Sequence, residues 1–144
     1  MSNRDVVEAY ARVFAHGKPS EQDQFLHPEI VEEYPQSGER FVGIEQRRGM
    51  LEGWPKEQYP TRASMDTIVG GGDQVILMPT YRTLRVSGTG DDFTTCGTVT
   101  YPNGETWFLV QLLHMKDGKI AHMTSYFAPP FEAPEWRAPF REAP

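Results

Sequence analysis

The stretch Trp107–Phe127, W-F-L-V-Q-L-L-H-M-K-D-G-K-I-A-H-M-T-S-Y-F, contains two apolar runs rich in strand-forming residues around a central Asp117-Gly118. Asp-Gly between two such runs is a tight hairpin signal, because a two-residue turn needs positive φ at both positions. Side chains alternate across a strand. If Gln111 faces a cavity, so do Trp107, Leu109, Leu113 and Met115, leaving Phe108, Val110, Leu112 and His114 on the opposite face. Both faces are largely apolar, so two covered surfaces are expected: an inner one that can line a small-molecule pocket, and an outer one that a second subunit would cover.

Outward from this hairpin the chain divides into a helical first third and a strand-rich remainder. Val6, Val7, Tyr10, Val13 and Phe14 recur at helical spacing, with Asn3 placed to cap the start and Gly17 the end. Pro19 to Leu26 reads as a second short helix, with His27-Pro28 turning the chain afterwards. Ile30–Tyr34 and Arg40–Val42 read as a strand and a return strand, and Ile44–Leu51 as a third helix weakened by Gly49. Further strands are expected at Arg62–Val69, Gln74–Val86, Phe93–Tyr101, Glu105–Met115 and Lys119–Phe127. They are separated by Gly70–Asp73, Ser87–Asp92, Pro102–Gly104 and Asp117-Gly118. Helices followed by a meander make an α+β domain. From Ala128 onward five prolines fall among Phe131, Trp136 and Phe140, a composition that excludes a helix or a central strand. The reading is a domain over residues 1–128 and a Pro-rich tail over 129–144, docked by its aromatics on the domain or on a partner subunit.

At 144 residues the chain is one domain. A net charge of −6, with no basic run longer than Arg47-Arg48, argues against nucleic acid as a partner. Cys96 is the only cysteine, so folding needs no intramolecular disulfide. No apolar run is long enough to span a bilayer, and a charged N-terminus does not resemble a signal peptide, so no membrane partner and a cytoplasmic location are expected.

Four segments carry a family resemblance: V-V-E-A-Y-A-R-V-F-A-H-G from Val6, E-Y-P-Q-S-G-E-R-F-V-G from Glu33, D-G-K-I from Asp117, and Y-F-A-P-P-F-E-A-P-E-W-R from Tyr126. In this order and spacing they resemble the SnoaL-like branch of the nuclear transport factor 2-like superfamily. The resemblance implies three N-terminal helices packed in a strongly curved antiparallel sheet, a cone or cystatin-like roll with a pocket at its wide end. That superfamily includes ketosteroid isomerase, SnoaL-type polyketide cyclases, scytalone dehydratase, limonene epoxide hydrolase and non-catalytic members, so fold alone does not fix function.

Matched to the ketosteroid isomerase pattern, Tyr10 falls on the tyrosine that donates a hydrogen bond to the developing enolate. The general-base carboxylate falls on Tyr34 and the protonated aspartate on Gln111, and neither can take over the aspartate's role. The last strand reads Met123-Thr124-Ser125-Tyr126-Phe127-Ala128, where cyclases and epoxide hydrolase carry aspartates. Tyr34-Pro35-Gln36 is similar to the tyrosine-x-asparagine pair that holds water in epoxide hydrolase. Ser125 has no His/Asp partner in the sequence pattern to activate it as a nucleophile. The candidate catalytic residues are therefore Tyr10, Tyr34 and Gln111. Candidate ligand contacts are Gln36, Trp54, Leu109, Leu113, Met123, Ser125 and Phe127. His114 and His122 share a face but have no third ligand to complete a metal site, and no metal or organic cofactor is expected. The expected ligand is a small hydrophobic or polycyclic molecule bound by a homodimer. If the protein is catalytic, its chemistry would be of the isomerase, cyclase or dehydratase type; the alternative is a non-catalytic binding or accessory domain.

Overall fold

The computed structural model describes residues 1–53, 80–101 and 104–143. The expected strand Arg62–Val69, the first residues of Gln74–Val86, and Trp54 lie outside them. Helix α1 (Asn3–His16) is followed by the short α2 (Pro19–Gln22), a 3-10 turn (Asp23–Phe25), β1 (Leu26–Tyr34), β2 (Glu39–Val42) and α3 (Ile44–Glu52). Then come β3 (Thr80–Thr89), β4 (Asp92–Thr100), β5 (Thr106–Lys116) and β6 (Lys119–Ala128). The six strands form one sheet in the order β2-β1-β6-β5-β4-β3, antiparallel except at the junction of β1 with β6. The result is the α+β arrangement expected, with α1 packed on a curved sheet.

The hairpin expected around Asp117-Gly118 forms. Asp117 (φ 53°) and Gly118 (φ 72°) both take the left-handed conformation that a two-residue turn requires. The β5–β6 register sets Gln111 opposite Ser125 and Leu113 opposite Met123, and all four are buried. On the other face Phe108, Leu112 and Tyr126 are exposed. The inner residues join Val6, Val7, Tyr10 and Phe14 of α1 in one core with Leu26, Ile30 and Phe93. Removing a large apolar side chain of this kind from water contributes about 1.5–3 kcal/mol.

Several boundaries differ from the sequence reading, each for a physical reason. Ser2, not Asn3, caps α1: its hydroxyl accepts from the Asp5 N–H while the Asp5 carboxylate accepts from the Ser2 N–H. Asn3 instead donates its amide to Gly90 O and Asp91 Oδ1, tying the helix to the β3–β4 turn. β1 starts at Leu26, four residues earlier than expected, because a register irregularity between Leu26 and Val31 takes up Pro28 inside the strand. β3 runs on to Thr89, so the β3–β4 turn is only Gly90-Asp91. Between Thr83 and Arg85 the same strand bulges over Gly97, where a Cβ would sit 2.1 Å from the Arg82 carbonyl oxygen, so only glycine admits this approach.

In the tail, Glu135–Phe140 forms a 3-10 turn despite its prolines, with the Arg137 guanidinium over the Trp136 ring at 5.3 Å. Phe131, Trp136 and Phe140 remain 81%, 70% and 84% exposed in the single chain.

Candidate functional site

Alternation along β1 points Ile30, Glu32 and Tyr34 to the inside of the sheet, and Ile30 and Glu32 are fully buried there. A buried carboxylate needs a partner, and α3 supplies it. Arg47, 1% exposed, donates from Nε to Glu32 Oε2 (2.9 Å), from Nη1 to Gln22 Oε1 (2.8 Å) and from Nη2 to Tyr10 Oη (3.2 Å). Tyr10 Oη donates in turn to Gln111 Oε1 (3.4 Å), Gln111 Nε2 to Ser125 Oγ (3.1 Å), and Ser125 Oγ to Glu32 Oε1 (3.5 Å).

The five side chains thus close a ring with two arms that both leave the Arg47 guanidinium and end on the Glu32 carboxylate, one direct and one through Tyr10, Gln111 and Ser125. Met123 Sδ lies against it, 3.5 Å from Tyr10 Oη and 3.3 Å from Gln111 Nε2. The hydroxyl steps are long for O–H···O bonds, while the two shortest contacts involve the guanidinium.

The ring's electrostatics keep its protons in place. Burial pushes the Tyr10 hydroxyl well above the ordinary phenol value; Arg47 opposes that shift and Glu32 adds to it. Burial alone would pull the Arg47 guanidinium down, but Glu32 and Tyr10 outweigh it and the net shift is upward. Arg47 is therefore a permanent cation and Tyr10 a permanent donor at physiological pH. Neither can abstract a proton.

A solvent-open cleft of about 1320 Å³ lies between α1, α3 and β3. Its apolar wall includes Phe14, Met50, Tyr81, Trp107 and Phe127; Tyr34 also lines it, as does Gln22, which accepts from Arg47 of the ring. Tyr34 stacks edge-on against Phe127 (5.3 Å) and Phe41 (5.1 Å), and among the described residues its hydroxyl has only the weak acceptor Met50 Sδ at 3.6 Å. Burial, followed by the nearby Glu32 charge, raises the Tyr34 hydroxyl far above the usual phenol range. It too is a proton donor.

The sequence candidates accordingly separate into two groups. Tyr10, Gln111, Ser125 and Met123 come together, but in a sealed ring where they satisfy one another, while Leu109 and Leu113 are core residues. Only Tyr34 and Phe127 of the described candidates line the open cleft. Gln36 spends its amide on the backbone, pairing with both the N–H and the C=O of Phe127 as another strand would, and so it fixes the cleft rim. Glu32, Arg47 and Gln22 escaped the sequence reading, although counting back two residues from Tyr34 places Glu32 on the inner face. His114 and His122 face each other across β5 and β6 and contact Asp92 and Glu33 respectively. No group of three or more His, Cys, Asp or Glu side chains suited to a metal converges among the described residues.

A curved sheet closed around α1, with a polar cluster at its floor and an open apolar cleft, defines the NTF2-like cone. Residues 7–123 match the SnoaL-like domain family, and the chain belongs to it. Among solved structures, an NTF-2 like protein of unknown function from Burkholderia xenovorans is 25% identical with a TM-score of 0.70, over 98% of this chain and 94% of that one. A provisional ketosteroid isomerase from Kribbella flavida shares the fold at 18% identity and a TM-score of 0.74, covering 98% and 88% of the two chains. TerC, crystallised with polyporic acid, shares it at 21% identity and 0.63, covering 87% and 90%. No curated protein matches the sequence.

Proposed function

We propose that this SnoaL-like domain binds a small hydrophobic or polycyclic molecule in the cleft between α1, α3 and β3, with Tyr34 donating a hydrogen bond to a ligand oxygen. The observation that carries the reading is the Tyr34 hydroxyl, held protonated by burial, poorly satisfied among the described residues, and set in an aromatic wall. Cleft sites of this kind are mostly apolar with a few placed polar groups. Catalysis, where it occurs, is cofactor-independent isomerase, cyclase or dehydratase chemistry in which Tyr34 stabilises an enolate or carbonyl oxygen and Tyr10 and Gln111 act through the ring. The alternative is a non-catalytic binding or accessory domain. One feature favours that alternative: Glu32, the carboxylate nearest to the role of base, is already held by Arg47 and Ser125.

The neutral polycyclic probe N-phenyl-1-naphthylamine tests the binding reading. Its fluorescence is expected to rise saturably on titration with the protein, and Ala15→Trp, which fills the cleft from α1, is expected to weaken binding roughly tenfold or more. No saturable binding, or full affinity in Ala15→Trp, would overturn it.

We further infer a homodimer through the outer sheet face carrying Phe108, Leu112 and Tyr126, with the tail aromatics seated on the partner. A soluble monomer rarely leaves such a contiguous apolar patch in water. Sedimentation at micromolar concentration is expected to give a dimer, which Leu112→Asp or truncation after Ala128 weakens by roughly tenfold or more, equivalent to about 1.4 kcal/mol. A monomeric wild-type chain would refute it.

A further inference from the structure

Among the described residues, the charge around the cleft is opposite to that of the whole chain. The sequence carries 14 Lys and Arg against 20 Asp and Glu. Yet the described residues around the cleft include Arg4, Arg12, Lys18, Arg82 and Arg85 and only one carboxylate, Glu8. Arg4 is neutralised by Glu8 at 2.9 Å and bound to the Val86 and Gly88 carbonyls. Arg12, Lys18, Arg82 and Arg85 have no ion-pair partner among the described residues.

These four cations are exposed residues lining the cleft and come from two of its elements. Arg12 and Lys18 stand on and just after α1, and Arg82 and Arg85 on β3, where the bulge at Leu84 leaves both arginines exposed. Unpaired cations lining an apolar cleft focus a positive field on it. We propose, building on the cleft-binding reading above, that the ligand is an organic acid: a flat hydrophobic body in the cleft, with a carboxylate, sulfonate or acidic enol held by these side chains. The aromatic wall supplies the apolar half of that recognition. The guanidiniums supply the anionic half, since Arg presents a planar fork that matches an oxyanion.

The test pairs the anionic probe 1-anilinonaphthalene-8-sulfonate with N-phenyl-1-naphthylamine, which has the same aromatic body and no charge. In the Arg82→Gln/Arg85→Gln variant, whose substitutions are at exposed positions, affinity for the sulfonate is expected to fall roughly fivefold to tenfold, while affinity for the neutral probe stays within about twofold. Raising NaCl to roughly 0.5 M is expected to act on wild type in the same direction, because exposed charges are screened. Both probes binding without response to the variant or to salt would overturn the organic-acid inference and leave the cleft reading intact. Failure of both probes to bind would remove the cleft reading itself. Sedimentation of the protein with phosphatidylglycerol vesicles, abolished by the same variant, would reassign the cations to a membrane surface and likewise overturn the inference.

Discussion

Arg47→Ala is expected to destabilise the fold by about 3–5 kcal/mol, a large share of the 5–15 kcal/mol available to a domain of this kind. The substitution removes one side chain and strands three. Among the described residues Glu32 is left as a buried carboxylate with only the long Ser125 contact, Gln22 Oε1 loses its donor, and Tyr10 Oη loses its cation. The double variant Glu32→Leu/Arg47→Met is expected to lie within about 2 kcal/mol of wild type, since replacing a buried ion pair by apolar groups of similar volume is often neutral. Denaturant unfolding at unchanged slope checks both values. A single variant as stable as wild type would mean that water reaches Glu32 and the ring is not sealed. The double variant also separates the ring's roles: if it folds and still binds the neutral probe, the ring is a floor beneath the cleft and not part of it.

Much of the fold could be read from strand alternation, because the inner and outer sides of β5 and β6 differ by one residue in phase and nothing in the sequence blurs that phase. Gln111 and Ser125 were therefore placed on the correct face. What they do there was not legible. A polar residue on an inner face reads equally as a pocket contact or as a member of a buried network, and the choice depends on which side chain arrives from above. That side chain is Arg47, on a helix weakened by glycine and 15 residues from its partner. Charged residues are almost never fully buried unless paired, so neither Glu32 nor Arg47 drew attention alone; only the packing of α3 on β1 makes them a pair. The N-cap error has a similar origin. Ser2 and Asn3 are comparable caps, and the β3–β4 turn, remote in sequence, claims the Asn3 side chain. Gln36 reads in sequence as a ligand contact, yet its amide pairs with the Phe127 N–H and C=O as a neighbouring strand would.

Stability is expected to fall steeply above about pH 10, by about 1.4 kcal/mol per pH unit for each tyrosine that the fold holds protonated. Tyr10, Tyr34 and Tyr81 all qualify, with burial the leading cause in each case. Their folded-state values lie above the unfolded one, so below about pH 10 both states carry the proton and this contribution to stability is fully present. Above it the unfolded chain releases protons that the native chain retains, and the three together remove about 4 kcal/mol per unit. Absorbance of phenolate against pH, recorded beside circular dichroism, is expected to show these three ionising only as the fold is lost. Tyr34→Phe provides the sharper measurement. Among the described residues its hydroxyl has only Met50 Sδ, at 3.6 Å, so the variant is expected to match wild type within about 0.5 kcal/mol at neutral pH while losing a third of the alkaline slope. Tyr10→Phe, by contrast, breaks contacts to Arg47 and Gln111 and should cost stability at every pH. An ordinary titration of Tyr34 near pH 10 in the folded protein would mean that water already solvates the phenol at the cleft wall. The protonated, unsatisfied donor on which the ligand-binding proposal depends would then be absent.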